Sequence, residues 1–391
     1  MDIKALADQY DSYVIDRRRF YHTCPELSWE EKETIGLIKA DLEAMGITDI
    51  HMCQNCYGLW ADIKGGKPGK TVALRADIDG LPVKEETGLP FASKNEGKMH
   101  ACGHDNHIAM LLGAAKILMD VKDELCGTVR LVFQPAEEIA KGALAMMEEG
   151  VMKGVSAIYG VHVWATFDAP YMGFNAGNRM ACCHGFEIKV EGKSAHASAP
   201  HLGVDAVMVS CSIMEALQQC VSRMNDPLNP LVLTIGKVTA GNRWNVLAGS
   251  ALLEGTVRTF TTGTKVEDEI RKVVENTAAA FGAKATLSYT YMTDPVINSD
   301  EQLVRIAQDA VSKLYGKEYL VDVPTMMGSE DFSWFGKDGA SYIYGFVGSH
   351  KKGTEMYSNH HEKYDVDEDM LHRGAAVAAQ FAADFLAENA Q

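Results

Sequence analysis

The stretch Met99-His100-Ala101-Cys102-Gly103-His104-Asp105-Asn106-His107 holds the densest collection of metal-ligating side chains in the chain. A cysteine and a histidine one residue apart can set a thiolate and an imidazole on the same ion. The residues that follow, Ile108 to Met119, read as a buried helix whose N-terminus favours the thiolate over the thiol. Such a loop becomes a metal site only if carboxylates join it. Alone it reads equally as a buried structural cysteine beside surface histidines, because short motifs recur by chance. Thr128 to Phe133 is a buried-strand pattern running into Gln134-Pro135-Ala136-Glu137-Glu138. Neighbours on an extended chain point to opposite sides, so one carboxylate can bind metal while the other faces a bound water; the same pair could cap the helix beginning near Lys141. Ala157 to Trp164 carries His162 in its C-terminal half, where a lone histidine is usually a satisfied core residue. Asp79, at the end of Arg75-Ala76-Asp77-Ile78-Asp79-Gly80, is either a carboxylate steering a ligand histidine or a solvated loop acid. His360 and His361 lie side by side on a loop ahead of a helix, a placement also commonplace on surfaces.

Those residues need a frame. A chain of 391 residues exceeds the size at which one core keeps growing, so two domains are expected. Hydrophobic residues at 47% and charged residues at 23% fit a globular enzyme and not a disordered chain. The net charge of -16, from 37 Lys+Arg against 53 Asp+Glu, excludes nucleic-acid and anionic-membrane partners, which need a basic footprint. Met1 to Asp8 lacks the apolar core of a signal peptide, and no segment holds the roughly 18 uninterrupted apolar residues of a membrane span. Nine cysteines, an odd number with Cys182 and Cys183 adjacent, do not suggest a disulfide framework. A cytoplasmic protein with reduced thiols is the expectation.

Helical spacing predicts helices over Ala5 to Phe20 and Glu31 to Met45. Leu59 to Ile63 and Val72 to Ala76 read as strands flanking the turn Lys64-Gly65-Gly66-Lys67-Pro68-Gly69, a hairpin signal. Phe186 to Val190, Asp205 to Met224, Leu231 to Val238, Ser250 to Thr259, Val266 to Phe281 and Ala285 to Thr293 then follow the order βαββαβ, a ferredoxin-like unit. The chain returns with a helix over Asp300 to Tyr315, a strand over Ser341 to Val347 and an Ala-rich helix over Asp367 to Glu388. The expected fold is α/β: a catalytic domain with a mixed sheet flanked by helices over 1–180 and 297–391, interrupted by an inserted domain over 181–296.

His100-Ala101-Cys102-Gly103-His104-Asp105, Phe133-Gln134-Pro135-Ala136-Glu137-Glu138, Gly192-Lys193-Ser194-Ala195-His196-Ala197, Gly255-Thr256-Val257-Arg258-Thr259 and Gly328-Ser329-Glu330-Asp331-Phe332 occur in one order. Together they resemble the aminoacylase-like family of metal-dependent amidohydrolases, in its branch of hippurate hydrolases, N-acetyl-diaminopimelate deacetylases and plant auxin-amide hydrolases. The resemblance covers almost the whole chain. It implies that Cys102 bridges two divalent ions (Zn, Mn, Ni or Co), with His104 and His162 completing one and Glu138 and a C-terminal histidine the other. That histidine lies four residues before an aromatic in the family, so Tyr364 selects His360 over His361. Glu137 becomes the general base. His196 corresponds to a family histidine that enters the partner subunit's site, which makes the inserted domain a dimerisation (lid) domain and the enzyme a homodimer. Arg258 is a carboxylate clamp or a surface ion pair, Gly348 a possible main-chain donor region, and Asn245 a substrate-binding residue. Asn106, Ile108, the run Ile139-Ala140-Lys141 in place of glycines, and Asn245-Val246-Leu247-Ala248-Gly249 without a proline depart from the family pattern; they bear on pocket shape and substrate choice. The implied reaction is amide hydrolysis of small N-acyl amino acids. A di- or carboxypeptidase, a catalytically silent binding protein, and a hydrolase with Cys102 as nucleophile are the alternatives.

Overall fold

Two hydrophobic cores organise the computed structural model, which describes residues 1–390. In chain order the helices are α1 (Ile3–His22), α2 (Lys32–Ala44), α3 (His104–Val121), α4 (Gly142–Glu148), α5 (Ala206–Gln219), α6 (Lys265–Ala280), α7 (Glu301–Tyr315) and α8 (Asp369–Glu388). The strands are β1 (Ile50–Met52), β2 (Leu59–Lys64), β3 (Lys67–Asp77), β4 (Cys126–Gln134), β5 (Val155–Asp168), β6 (Met172–Gly173), β7 (Gly177–Met180), β8 (Cys183–Glu191), β9 (Leu231–Ala240), β10 (Ser250–Thr259), β11 (Lys284–Thr293), β12 (Val296–Asn298) and β13 (Ser341–His350). One unit comprises Met1–Arg179, Ile297–Pro324 and the chain from Asp331 on; the other comprises Met180–Val296 and Thr325–Glu330.

The first unit is built on a mixed sheet of order β1-β2-β4-β3-β5-β13-β6. Its interior strands β4, β3, β5 and β13 run parallel. Their apolar runs are buried without alternation, as strands covered on both faces require. Parallel strands direct their carboxyl ends to one edge; the loops leaving β3 and β4 there carry candidate ligands, and His162 lies within β5 itself. Helix α3 packs on α1 and α8 and is buried over most of its length, so the loop that opens it is held on a rigid support. Asp2 caps α1 by accepting the Ala5 N–H, and Asp300 caps α7 by accepting the Gln302 and Leu303 N–H groups, satisfying donors that have no partner inside the helix.

The hairpin expected from Lys64 to Gly69 does not form. Strand β4 lies between β2 and β3, antiparallel to one and parallel to the other. The glycines serve a different purpose from a hairpin turn: a side chain at Gly65, Gly66 or Gly69 would run into the backbone of residues 123–127. They let the connection cross the entry of β4, and Gly65 N–H donates to the Gly127 carbonyl at 2.8 Å.

The second unit has the sheet order β11-β8-β10-β9, antiparallel throughout. Alternating burial along β8 turns Phe186, Ile188 and Val190 inward, where they join Ile213 and Leu217 of α5 and Ile270 and Val274 of α6. The helix expected to run to Met224 ends at Gln219 and widens into a π turn over Cys220–Met224.

Candidate metal centre

The cluster forms where β3, β4 and β5 end and α3 begins. Gly103 adopts φ 94° between Cys102 and His104, and any side chain there would strike Val163 and the Tyr364 hydroxyl. Only glycine tolerates both the left-handed backbone and the close approach of β5, so Cys102 and His104 are turned toward one point. The acid pair sits on a turn after β4 in which Ala136 (φ 52°) and Ala140 (φ 56°) are left-handed, with Ala140 N–H donating to the Glu137 carbonyl at 2.7 Å. Such backbone costs alanine on the order of 1–2 kcal/mol each. Ala140 occupies part of the run where the family pattern expects glycine.

The structure brings Cys102, His104, Glu137, Glu138, His162 and His360 together. His162 Nε2 lies 3.3 Å and His360 Nε2 3.2 Å from Cys102 Sγ. Glu138 Oε1 is 3.6 Å from His360 Nε2 and 3.9 Å from His104 Nε2, and Glu137 Oε2 is 4.0 Å from His104 Nε2. The potential ligand atoms of Cys102, His104 and His162, and separately those of Cys102, Glu138 and His360, all fall within 4.8 Å of one another. Cys102 belongs to both groups, the geometry a bridging ligand needs. His361 turns away: its ring packs on Tyr357 at 4.7 Å and its Nδ1 accepts the Lys363 N–H at 3.0 Å.

The far side of each imidazole is fixed by the fold. His104 Nδ1 donates to the Asp79 carbonyl at 2.9 Å and to its Oδ1 at 3.1 Å, while Asp79 Oδ2 accepts the Glu138 N–H at 3.1 Å. Asp79 thus ties a histidine and the acid turn to one carboxylate. His162 Nδ1 donates to the Val163 carbonyl at 2.7 Å, which aims Nε2 at Cys102. Partners of this kind fix tautomer and ring orientation.

Residues outside the motif reading complete this layer. Val163 N–H donates to His107 Nε2 at 2.9 Å, so His107 Nδ1 carries the proton it directs at Asp77. Asp77 also accepts from Arg75 at 2.8 Å. Asn359 donates to the Cys102 and Val163 carbonyls, both at 3.1 Å, and pins the His360 loop against two other segments. The adjoining acids of the Asp77-Ile78-Asp79 run were visible as a pair; nothing in the sequence singled out Asn359.

Electrostatics set the requirement for cations. Burial, with Glu138, Glu137 and Asp77 close by, pushes the Cys102 thiol well above its ordinary range. This reverses the expectation that the helix N-terminus would favour the thiolate. A helix end contributes about 0.3–1 kcal/mol, whereas one carboxylate about 4 Å away at an effective dielectric near 20 contributes about 4 kcal/mol of opposite sign. Burial likewise pushes the Glu138 carboxyl up to about 7. Burial opposes a charge on His104, but Asp77 and Asp79 prevail and hold it up to about 10. Burial, then His104, lowers His360. His104 Nε2 and Glu138 Oε1 are buried with no hydrogen-bond partner among the described residues. Buried, mutually repelling acids around a thiol, with orphaned donor atoms aimed inward, fit divalent cations.

Of the remaining site candidates, His196, Asn245 and Arg258 lie in the second unit and Gly348 in the first. His196 is exposed on a turn, its Nδ1 accepting the Ser198 N–H at 3.2 Å, and it bridges to Val246 beside Asn245. Asn245 Oδ1 is buried without a partner among the described residues. Arg258 Nη1 donates to Thr256 Oγ1 at 2.7 Å and to Cys183 Sγ at 2.9 Å, so it is anchored locally and has no ion-pair partner among the described residues. The Gly348 N–H itself is taken by the Tyr171 carbonyl at 2.8 Å.

A mixed α/β sheet with a metal-suited cluster at its strand ends defines a class of metallohydrolase scaffold. The chain belongs to peptidase family M20/M25/M40, whose model matches residues 73–384. It is 39% identical to an N-acetyl-L-cysteine deacetylase of Bacillus subtilis (strain 168), over 92% of this chain and 84% of the relative. It is also 39% identical to the IAA-amino acid hydrolase ILR1-like 2 of Arabidopsis thaliana, over 99% of this chain and 88% of that protein. Among solved structures, a dinuclear metal binding peptidase from the M20 family of Bacillus subtilis superposes with a TM-score of 0.86 at 36% identity, covering 98% of this chain and 99% of that one.

Proposed function

We propose that the protein hydrolyses the amide bond of small N-acyl amino acids, releasing a carboxylate and the free amino acid, with two divalent ions bound at Cys102. Cys102, His104 and His162 would hold one ion, and Cys102, Glu138 and His360 the other. The observation that carries this reading is the convergence of a thiol, three imidazoles and two carboxylates in three overlapping ligand groups. Thiolate, imidazole and carboxylate together suit Zn, Mn, Ni or Co. When bound, such ions supply Lewis acidity that polarises an amide carbonyl and acidifies water.

The chain's own residues do the rest. Glu137 takes the proton of the attacking water and returns it to the leaving amine. Asp79 and the Val163 carbonyl keep the lone pairs of His104 and His162 directed inward. His196, carried by the second unit, completes the site of a partner subunit, so the active species is a homodimer. Arg258 and Asn245 read the substrate: Arg258 binds the free carboxylate of the amino acid, and discrimination among acyl groups comes from the pocket. Nine free thiols support a location in the cytoplasm, where thiols stay reduced.

N-acetyl-methionine, hippurate and N-acetyl-diaminopimelate should be turned over by the metal-loaded protein, and their carboxyl-blocked forms should fall by at least about tenfold in kcat/KM. A hydrogen bond to a charged group contributes roughly 1.5–3 kcal/mol, which sets that minimum. Equal rates for free and blocked forms would show that the carboxylate is not read, and turnover of none of them would leave the scaffold without this activity.

A further inference from the structure

Cys53 and Cys56 lie outside everything described so far. Strands β1 and β2 pair with Met52 opposite Leu59, and the loop between them is closed by Cys53 N–H donating to the Gly58 carbonyl at 2.9 Å. Register and closure hold the two cysteines on the same short loop. Their sulfurs and a carboxylate oxygen of Glu149 lie within 4.8 Å of one another. Three such ligands could suggest a metal, but Glu149 is already committed. Its carboxylate accepts the Gln54 N–H at 3.0 and 2.7 Å and the Asn55 N–H at 2.7 Å, so it anchors the turn. What remains is a pair of thiols. Both are only partly buried, and they line a cavity of about 360 Å³ together with Trp29, Met52 and Tyr57.

We propose that Cys53 and Cys56 form a dithiol exchange site, which a low-molecular-weight disulfide RSSR oxidises to an intramolecular disulfide. Their sulfurs lie within 4.8 Å of each other on one closed loop, so a mixed disulfide formed on either is within reach of the other. One thiol, giving up its proton, attacks one sulfur of RSSR; the S–S bond breaks and the departing RS⁻ takes a proton to become RSH. The second thiol then attacks the protein sulfur of the mixed disulfide, and its proton leaves with the second RS⁻. The protein loses two electrons and two protons, and RSSR gains them as two RSH. The aromatic walls of the cavity give the small disulfide a surface to lie against, and the thiolate is the reactive form.

The test uses the full-length, metal-loaded protein treated with oxidised glutathione, followed by alkylation and peptide mass mapping. The wild type should lose two hydrogens as a Cys53–Cys56 link while the other cysteines are alkylated. Cys53→Ser should accumulate glutathione on Cys56, and Cys56→Ser should accumulate it on Cys53, because neither variant keeps a resolving thiol. Both variants should keep wild-type hydrolysis when reduced, which shows that they fold. Alkylation of both cysteines after oxidant treatment of the wild type, or no glutathione adduct in either variant, would overturn the proposal.

Discussion

Binding of divalent ions at Cys102 should be steeply pH-dependent, and Cys102→Ala should make it less so. In the folded chain the Cys102 thiol titrates well above its ordinary range and His104 at about 10. Both therefore carry protons at pH 7 to 8. A metal ligand must be deprotonated, so binding one ion pair at this cluster displaces at least two protons. Each displaced proton contributes one decade of apparent affinity per pH unit, in the direction of tighter binding as pH rises. The expected slope is about two decades per unit between pH 7 and 8. Glu138, at about 7, adds a further fraction of a proton below that window.

Removing the thiol deletes one of those protons, so the slope for Cys102→Ala should fall to about one decade per unit. The affinity itself should drop by at least about two to three decades at pH 8, since a single unit-charge interaction about 4 Å away at an effective dielectric near 20 is worth about 4 kcal/mol. Competition of Co²⁺ between the protein and a chromophoric chelator, repeated across pH, measures both quantities. Loss of the thiolate-to-cobalt charge-transfer band in the variant reports the ligand directly. Equal slopes for the two proteins, or full metal occupancy in the variant, would refute a bridging Cys102; a thiol acting as nucleophile would lose activity alone.

Glu137→Gln keeps shape and removes the base, so it should retain metal by elemental analysis while losing about two to four decades of kcat. Mixing Glu137→Gln chains with His196→Ala chains should restore part of the activity once subunit exchange is demonstrated, because a heterodimer then contains one site with both residues intact. No rescue would rule out donation between subunits. Arg18, 1% exposed, pairs with Asp105 at 3.0 Å, Asp365 at 3.1 Å and Glu368 at 3.2 Å behind the ligand loop. Arg18→Met should cost about 3–5 kcal/mol in denaturant unfolding of the metal-loaded protein, the range for a broken buried ion pair; a loss below about 1 kcal/mol would mean that His22, whose Nδ1 lies 2.8 Å from Asp105 Oδ2, satisfies Asp105 alone.

The ligand types were legible because parallel strands end in the motifs themselves. A buried apolar run followed at once by Glu137-Glu138, or a histidine inside such a run, reads as a strand end with chemistry on it. Two expectations misled for identifiable reasons. Lys64 to Gly69 has the composition of a hairpin turn, and only the long-range insertion of β4 reveals that its glycines serve a backbone crossing. The helix N-terminus ahead of Ile108 promised a thiolate, but it is outweighed by burial of the thiol and then by carboxylates from β3 and the turn after β4, distant in sequence. Asn359 and the Asp77–His107 pair share that obscurity: each works through a contact with a segment far along the chain, and no local pattern encodes it.

The same contacts explain why the cluster tolerates so much local cost. Left-handed backbone at Ala136, Ala140 and His360, orphaned atoms on His104 and Glu138, and a thiol pressed among acids all belong to this one cluster or the turns that carry it. Each is held in place by something rigid: Asp79 on the acid turn, Asn359 on the His360 loop, Gly103 against Val163, and the Arg18 ion network behind Asp105. A fold that pre-arranges repelling donors in this way lowers the reorganisation required when a cation arrives, and places the whole benefit of neutralising them in the bound state. Substitutions in the supporting partners should therefore be read out first as weakened metal affinity, and substitutions in Glu137, which is not counted among the ligands, as slowed chemistry.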